Sequence, residues 1–288
     1  GVTALLLMLT WGGVEMPWSS APVVGLAVLG VVALGALVLV ERRVADPILP
    51  PRLFGNRTFL CGVLIAFFTS LGLFGATFLL PLYFQLVLGF GAEPSGLLVM
   101  PFLTSSVLGA LMGGQIARRV GRTKGLVICG LLGTIVGFVA LTWQAGGGSI
   151  GWVLAASAVL GLGTGITMPS VLMQVQNAAE RPDVGAATGS LLFLRSMGGA
   201  FGSTIVGSVL VAQFNDGLAQ AGLPAVDLSV LRGSAAAGLA GARAALASGF
   251  RLSFAVCLGL MFVAVAIASA MKDLPLRSSA APANEIAH

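Results

Sequence analysis

Apolar residues run along this chain in long unbroken stretches, without the strict alternation of a half-buried strand. A helix needs about 20 apolar residues to cross a hydrocarbon core, and only helices or closed barrels satisfy their backbone there. The runs therefore predict membrane-spanning helices. They lie at Val2 to about Gly13, Ala21–Val40, Phe59–Leu82 and Pro94–Ala117, followed by a region from Gly125 to Ala179 that carries no charge. That region is too long for one crossing, and Gly146-Gly147-Gly148-Ser149 divides it into Gly125–Gln144 and Ile150–Met173. Two more runs follow, Ala186–Ala212 and Leu252–Met271, giving eight spans with the first shortened.

The charges test this count, because the spans were drawn without regard to sign. Eleven basic residues (Arg42, Arg43, Arg52, Arg57, Arg118, Arg119, Arg122, Lys124, Arg181, Lys272 and Arg277) fall on one side of the zig-zag. Arg232, Arg243 and Arg251 fall on the other. The positive-inside rule assigns the first side, and with it both ends of the chain, to the cytoplasm. The net charge of +5 thus reports topology and gives no reason to expect nucleic acid.

Composition agrees. Of 288 residues, 57% are hydrophobic and 9% charged, with a mean hydropathy of +1.02. Soluble domains carry roughly 25% charge, and a single core of this length could not cover so much apolar surface. The 41 glycines suit membrane helices that approach closely, and Gly109/Gly113, Gly133/Gly137, Gly161/Gly165 and Gly198/Gly202 each form G-x-x-x-G. Gly161-Leu-Gly163-Thr-Gly165 has neither the preceding strand nor the following lysine of a nucleotide loop. Gly1 is not a start methionine and no basic segment precedes the first apolar run, so the chain reads as a fragment lacking its N-terminal portion.

Little in the sequence carries reaction chemistry. Cys61, Cys129 and Cys257 stand alone and read as small buried hydrophobes, and the one histidine is His288. The acids Glu15, Glu41, Asp46, Glu93, Glu180 and Asp183 are scattered, so an enzyme, a metal site and a cofactor are not expected. Arg195 is different. It lies roughly 14 Å into its span, near the bilayer centre, where charged residues usually face a wet pathway. A packing role, with the guanidinium on backbone carbonyls, is the alternative. Thr69, Ser70, Thr77, Tyr83, Gln85, Thr104, Ser105, Ser106, Thr164, Thr167 and Gln174 are uncharged polar residues of the spans, suited to interhelical bonds or to a ligand. Pro81, Pro101 and Pro169 interrupt helices as at substrate sites or as static kinks.

Several stretches resemble the fourteen-span drug:proton antiporters of the major facilitator superfamily. They are Glu41–Phe59 (ERRVADPILPPRLFGNRTF), FLLPLYFQ from Phe78 to Gln85 with Gly89, Gly96 and Pro101, and GQIARRVGR from Gly114 to Arg122. Gly161 through Met168-Pro169, Asn177 and Asp183-Val-Gly185 to RSMGGAFG at Arg195–Gly202 follow in the same order. The resemblance implies an all-α polytopic membrane fold: two extra helices (1–40), a cytoplasmic link (41–58), a six-helix C-terminal domain of two inverted triple-helix repeats (59–272) and a cytoplasmic tail (273–288). It implies proton-coupled export of small amphipathic compounds from the inner membrane of a bacterium. Lipid, substrate, proton and the missing N-terminal half would be the partners. Arg195, Gln85, Tyr83, Gln174 and Thr167 become candidate cavity residues, and Gly114, Arg118, Gly121 and Arg122 a cytoplasmic gate loop. A metabolite permease of the same superfamily and a non-transporting membrane scaffold or sensor are the rival readings. Labelling tests the sidedness: in a cysteine-free background, Arg119→Cys should react with an impermeant maleimide in everted vesicles and stay unreacted in intact cells.

Overall fold

The structure, a computed structural model, describes residues 2–12, 16, 19–41, 51–220, 222 and 240–273. Glu15, Arg42, Arg43, Asp46, Asp227, Arg232, Arg277 and His288 lie outside the described residues. The described residues form α1 (Val2–Trp11), α2 (Ala21–Glu41), α3 (Pro51–Phe54), α4 (Arg57–Leu86), α5 (Ala92–Leu98), α6 (Met100–Val120), α7 (Lys124–Gln144), α8 (Ile150–Ala178), α9 (Val184–Gln220) and α10 (Ala240–Ala270). Seven units are long and apolar enough to cross a membrane: α2, α4, α5 with α6, α7, α8, α9 and α10. The eighth expected span, α1, has 10 residues and is too short to cross alone.

Two boundaries differ from the sequence reading. The fourth span is broken at Val99, where α5 ends and α6 begins with Pro101 in its first turn. Proline is tolerated there because first-turn N–H groups lack helical acceptors anyway. Pro81 and Pro169, by contrast, sit inside continuous helices. The connection between the expected spans Ala186–Ala212 and Leu252–Met271 is shortened at both ends, since α9 reaches Gln220 and α10 starts at Ala240. Gly217 of α9 lies against Ala245 of α10 and Gly249 of α10 against Leu210 of α9, and alanine-rich sequence is strongly helix-forming, so both helices continue while they still have each other to pack on.

Most pairings of the six long helices from α4 to α10 survive exchange of the first three for the last three, whereas the α9–α10 and α8–α9 contacts have no comparable counterparts in α6–α7 and α4–α6. α6 lies along α8 as α9 lies along α4, and α7 packs on α8 as α10 packs on α4. The α7–α10 and α4–α8 contacts map onto themselves. Inverted three-helix repeats produce this arrangement. α1 and α2 form a separate pair, joined to the rest chiefly through α1 on α9, where Ser208 donates to the Leu9 carbonyl at 3.0 Å. Most of α2 is exposed (Val24, Val28, Leu29, Val31, Val32), an apolar surface suited to lipid.

Glycines set the helix separations. On α8, a Cβ at Gly161 would lie 3.0 Å from the Phe102 carbonyl carbon of α6, and one at Gly165 2.9 Å from that of Ser106. Gly163 faces the other way, where a Cβ would lie 2.6 Å from the Gly130 carbonyl oxygen of α7. The run that mimics a nucleotide loop is thus a two-sided packing groove. On α9, Gly198 and Gly202 give the same approach to Phe67 and Leu71 of α4. Gly163→Val should destabilise the protein by about 1–3 kcal/mol through overpacking. Gly189→Ala, at a glycine of α9 with open space before it, should leave the thermal midpoint in detergent unchanged or slightly raised.

Candidate functional site

The ends of the helices separate by charge. Arg52, Arg57, Arg118, Arg119, Arg122, Lys124, Arg181 and Lys272 gather at the end formed by the start of α4, the α6–α7 turn, the α8–α9 turn and the end of α10. Two connections hold this end. In the first, Gly121, at φ 69°, closes α6 by donating to the Ala117 carbonyl at 3.0 Å. Thr123 beyond it donates to the side-chain oxygen of fully buried Gln174 on α8. The Gln174 amide nitrogen donates to the Lys272 carbonyl at 3.0 Å, Lys124 donates to the Ser269 carbonyl at 2.8 Å, and Arg122 lies 3.8 Å from Asp273. The α6–α7 turn is thereby tied to the ends of α8 and α10. In the second, Arg52 pairs with Asp183 at 2.6 Å, and Asn56 donates to the Ala178 carbonyl at 3.0 Å. The Asn56 oxygen also caps α4 through the Thr58 and Phe59 amides, fixing α3 beneath the α8–α9 turn.

One turn or two further into the bilayer lies a cavity of about 120 Å³, lined by Ala66, Met168, Pro169, Val171, Leu172, Leu191, Leu192 and Arg195. Ala66, Pro169 and Arg195 each sit about ten residues in from the basic ends of α4, α8 and α9, roughly 14–16 Å deep. The three helices therefore meet near mid-membrane. Pro169 has no N–H, so the Gly165 carbonyl loses its helical donor on this part of α8. Arg195 is half-buried and makes no hydrogen bond or ion pair among the described residues. The described acids (Glu41, Glu93, Glu180, Asp183, Asp216 and Asp273) all lie toward helix ends or in turns. A guanidinium at this depth costs at least ~2.5–3.5 kcal/mol on insertion scales, and its five donors need acceptors.

The other candidates are distributed elsewhere. Tyr83 is fully buried near the opposite end of α4, donates to the Gln144 carbonyl at 2.7 Å and packs edge-on against Phe250. Gln85 is half-buried in the last turn of α4 and makes no hydrogen bond among the described residues; it lies about 28 Å from Ala66 along the axis. Thr167 donates to the Gly163 carbonyl at 2.9 Å and faces Gly130 of α7. Gln174 belongs to the clamp described above. The structure thus brings Arg195 to the cavity and leaves the other four outside its lining. Of the gate-loop candidates, Gly114 has open space before it and Arg118 is exposed in the last turn of α6, where a cation suits the helix C-terminus. Cys61 and Cys257 are buried as expected, whereas Cys129 is exposed, because its face of α7 meets no neighbouring helix. Thr69 and Ser70 of α4 are buried with unpartnered hydroxyls. Ala66, Leu191 and Leu192 carry no signal in the sequence, since nothing in an apolar residue marks which face of its helix it occupies.

An all-helical bundle of long apolar helices, with a cation on a cavity at mid-helix depth, defines a polytopic membrane protein. Comparison with known proteins identifies the group. The family model of the Major Facilitator Superfamily matches residues 1–203, and the chain belongs to that superfamily. The multidrug transporter protein MdtP of Bacillus subtilis (strain 168) is 36% identical over 227 residues, covering 79% of this chain and 42% of MdtP. The MFS efflux transporter aclA of Aspergillus oryzae is 34% identical over 216 residues, covering 74% of this chain and 39% of aclA. The chain thus spans less than half the length of these relatives. The crystal structure of a bacterial homolog of the human lysosomal transporter Spinster, inward-facing and unoccupied, superposes with a TM-score of 0.63 at 19% identity. That match covers 75% of this chain and 48% of that one, and it concerns the fold alone.

Magnitudes rank the two connections at the basic end. Gln174→Leu orphans the buried Thr123 hydroxyl and the Lys272 carbonyl and should cost about 1–3 kcal/mol. Arg52→Ala removes a pair whose arginine side chain is 73% exposed and should cost at most ~1 kcal/mol. Thermal midpoints of the two purified variants, compared with the unmodified protein, check the order.

Proposed function

We propose that this chain is the C-terminal part of a proton-coupled exporter of small amphipathic compounds, of the fourteen-span drug:proton antiporter kind. On this reading α1 and α2 (1–40) are the extra helix pair, 41–58 the link, 59–272 the C-terminal domain and 273–288 the tail. The basic end faces the cytoplasm, and the membrane is the inner membrane of a bacterium. An N-terminal half of the same protein completes the cavity and supplies the titrating carboxylate. The observation that carries the proposal is Arg195: a mid-membrane cation on an apolar cavity, with no acceptor among the described residues. Packing alone would pair such a group with carbonyls of the bundle. Similarity to MdtP and aclA, named as a multidrug transporter and an efflux transporter, supports export as the direction.

The turn carrying Gly114, Arg118, Gly121 and Arg122 acts in this scheme as the cytoplasmic gate, held closed on α8 and α10 by the Thr123–Gln174–Lys272 chain. Alternating access then moves the six-helix unit as a body against the other half. In everted vesicles the complete transporter should take up amphipathic dyes when a proton gradient is imposed and stop when it is collapsed. Arg195→Ala should slow uptake by roughly ten- to a hundredfold, the worth of one hydrogen bond to a charged group, with membrane insertion intact. Normal uptake at normal expression would assign Arg195 to packing instead.

A further inference from the structure

The chemistry of the Arg195 cavity specifies a ligand more narrowly than amphipathic compounds at large. Its wall is hydrocarbon and thioether: Ala66, Met168, Leu172, Leu191 and Leu192, with Pro169. Among the described residues no aromatic ring and no carboxylate lines it, so this part of the cavity offers a cationic compound neither a π-face nor a counter-charge. What it meets is a guanidinium, which presents five N–H donors in a planar fork and has no acceptor of its own. That fork matches two oxygens of one acid group. No acceptor among the described residues occupies the donors, and the surrounding apolar wall strengthens any ion pair formed against them.

We infer that the cavity selects amphipathic anions, with a carboxylate or comparable acid oxygen pair seated on Arg195 and a compact hydrocarbon body against α4, α8 and the Leu191–Leu192 face of α9. The inference rests on the reading of this cavity as a substrate site and sharpens it to a substrate class. Arg195 supplies charge recognition, and the wall supplies tolerance of body shape. Replacing the acid by an amide leaves the guanidinium facing a weaker acceptor, and replacing it by an ammonium places like charges together.

Three radiolabelled probes with one body decide this: 1-naphthylacetate, 1-naphthylacetamide and 1-naphthylmethylammonium. Equilibrium dialysis with the complete, purified transporter measures binding, and everted vesicles measure transport. The unmodified protein should retain the acetate at least tenfold more tightly than the amide or the ammonium, a result that needs no variant. Arg195→Gln should bring the acetate down to the amide's level with a much smaller loss for the amide, and Arg195→Lys should keep part of the preference. Equal binding of the three, a preference for the ammonium, failure to bind the acetate, or an acetate preference that survives Arg195→Gln overturns the inference. So does an equal loss of all three probes in that variant, which would mark Arg195 as the partner of a carboxylate in the other half. Arg195-dependent acetate binding with no transport of any probe would keep the anion site and sink the exporter reading. Transport of the ammonium alone, without acetate binding, would do the reverse.

Discussion

Helices dissolved in lipid gain nothing from hiding apolar side chains from one another, because the solvent is as apolar as they are. Association then depends on how closely backbones approach. In this chain α8 carries that requirement. Gly161 and Gly165 open one of its faces to α6, and Gly163 opens the other to α7, so three helices pack nearly backbone to backbone. Gly198 and Gly202 repeat the arrangement between α9 and α4. Any side chain at these positions pushes two helices apart and removes contacts along their length, not at a single residue.

These seams make two dense units, α6–α7–α8 and α4–α9–α10, joined through α7 with α10 and α4 with α8. Hydrogen bonding then pins their ends. At the basic end Gln174 ties the α6–α7 turn to the end of α10, while at the other Tyr83 ties α4 to the last turn of α7. The Arg52–Asp183 pair adds less, since its arginine stays in water where an ion pair is weak. What results is a body suited to moving as a whole, in which the unpaired charge at mid-membrane among the described residues is the Arg195 guanidinium, on the cavity where α4, α8 and α9 meet. Membership of the Major Facilitator Superfamily explains the inverted repeat, and the unmatched cation marks where this chain's own chemistry is to be sought.

The spans, their alternating ends and the depth of Arg195 were all legible in the sequence. Hydrocarbon thickness and the rise of a helix convert residue number directly into depth, and charged turns cannot sit in lipid. Helical phase was not legible. Tyr83, Thr167 and Gln174 look as suitable for a ligand as Arg195 does, yet Tyr83 and Gln174 spend their polar atoms on neighbouring elements and Thr167 spends its hydroxyl on the Gly163 carbonyl of its own helix. Cys129 was expected to be buried and is exposed, while Leu191 and Ala66 look like lipid-facing residues and line the cavity. By itself the sequence determined that the chain is membrane-embedded, where its seven long apolar helices run and how deep Arg195 lies, because these follow from composition along a single axis. Which faces meet, and hence which residues share a cavity, only the tertiary structure decided, because rotation about a helix axis is set by the helices packed around it.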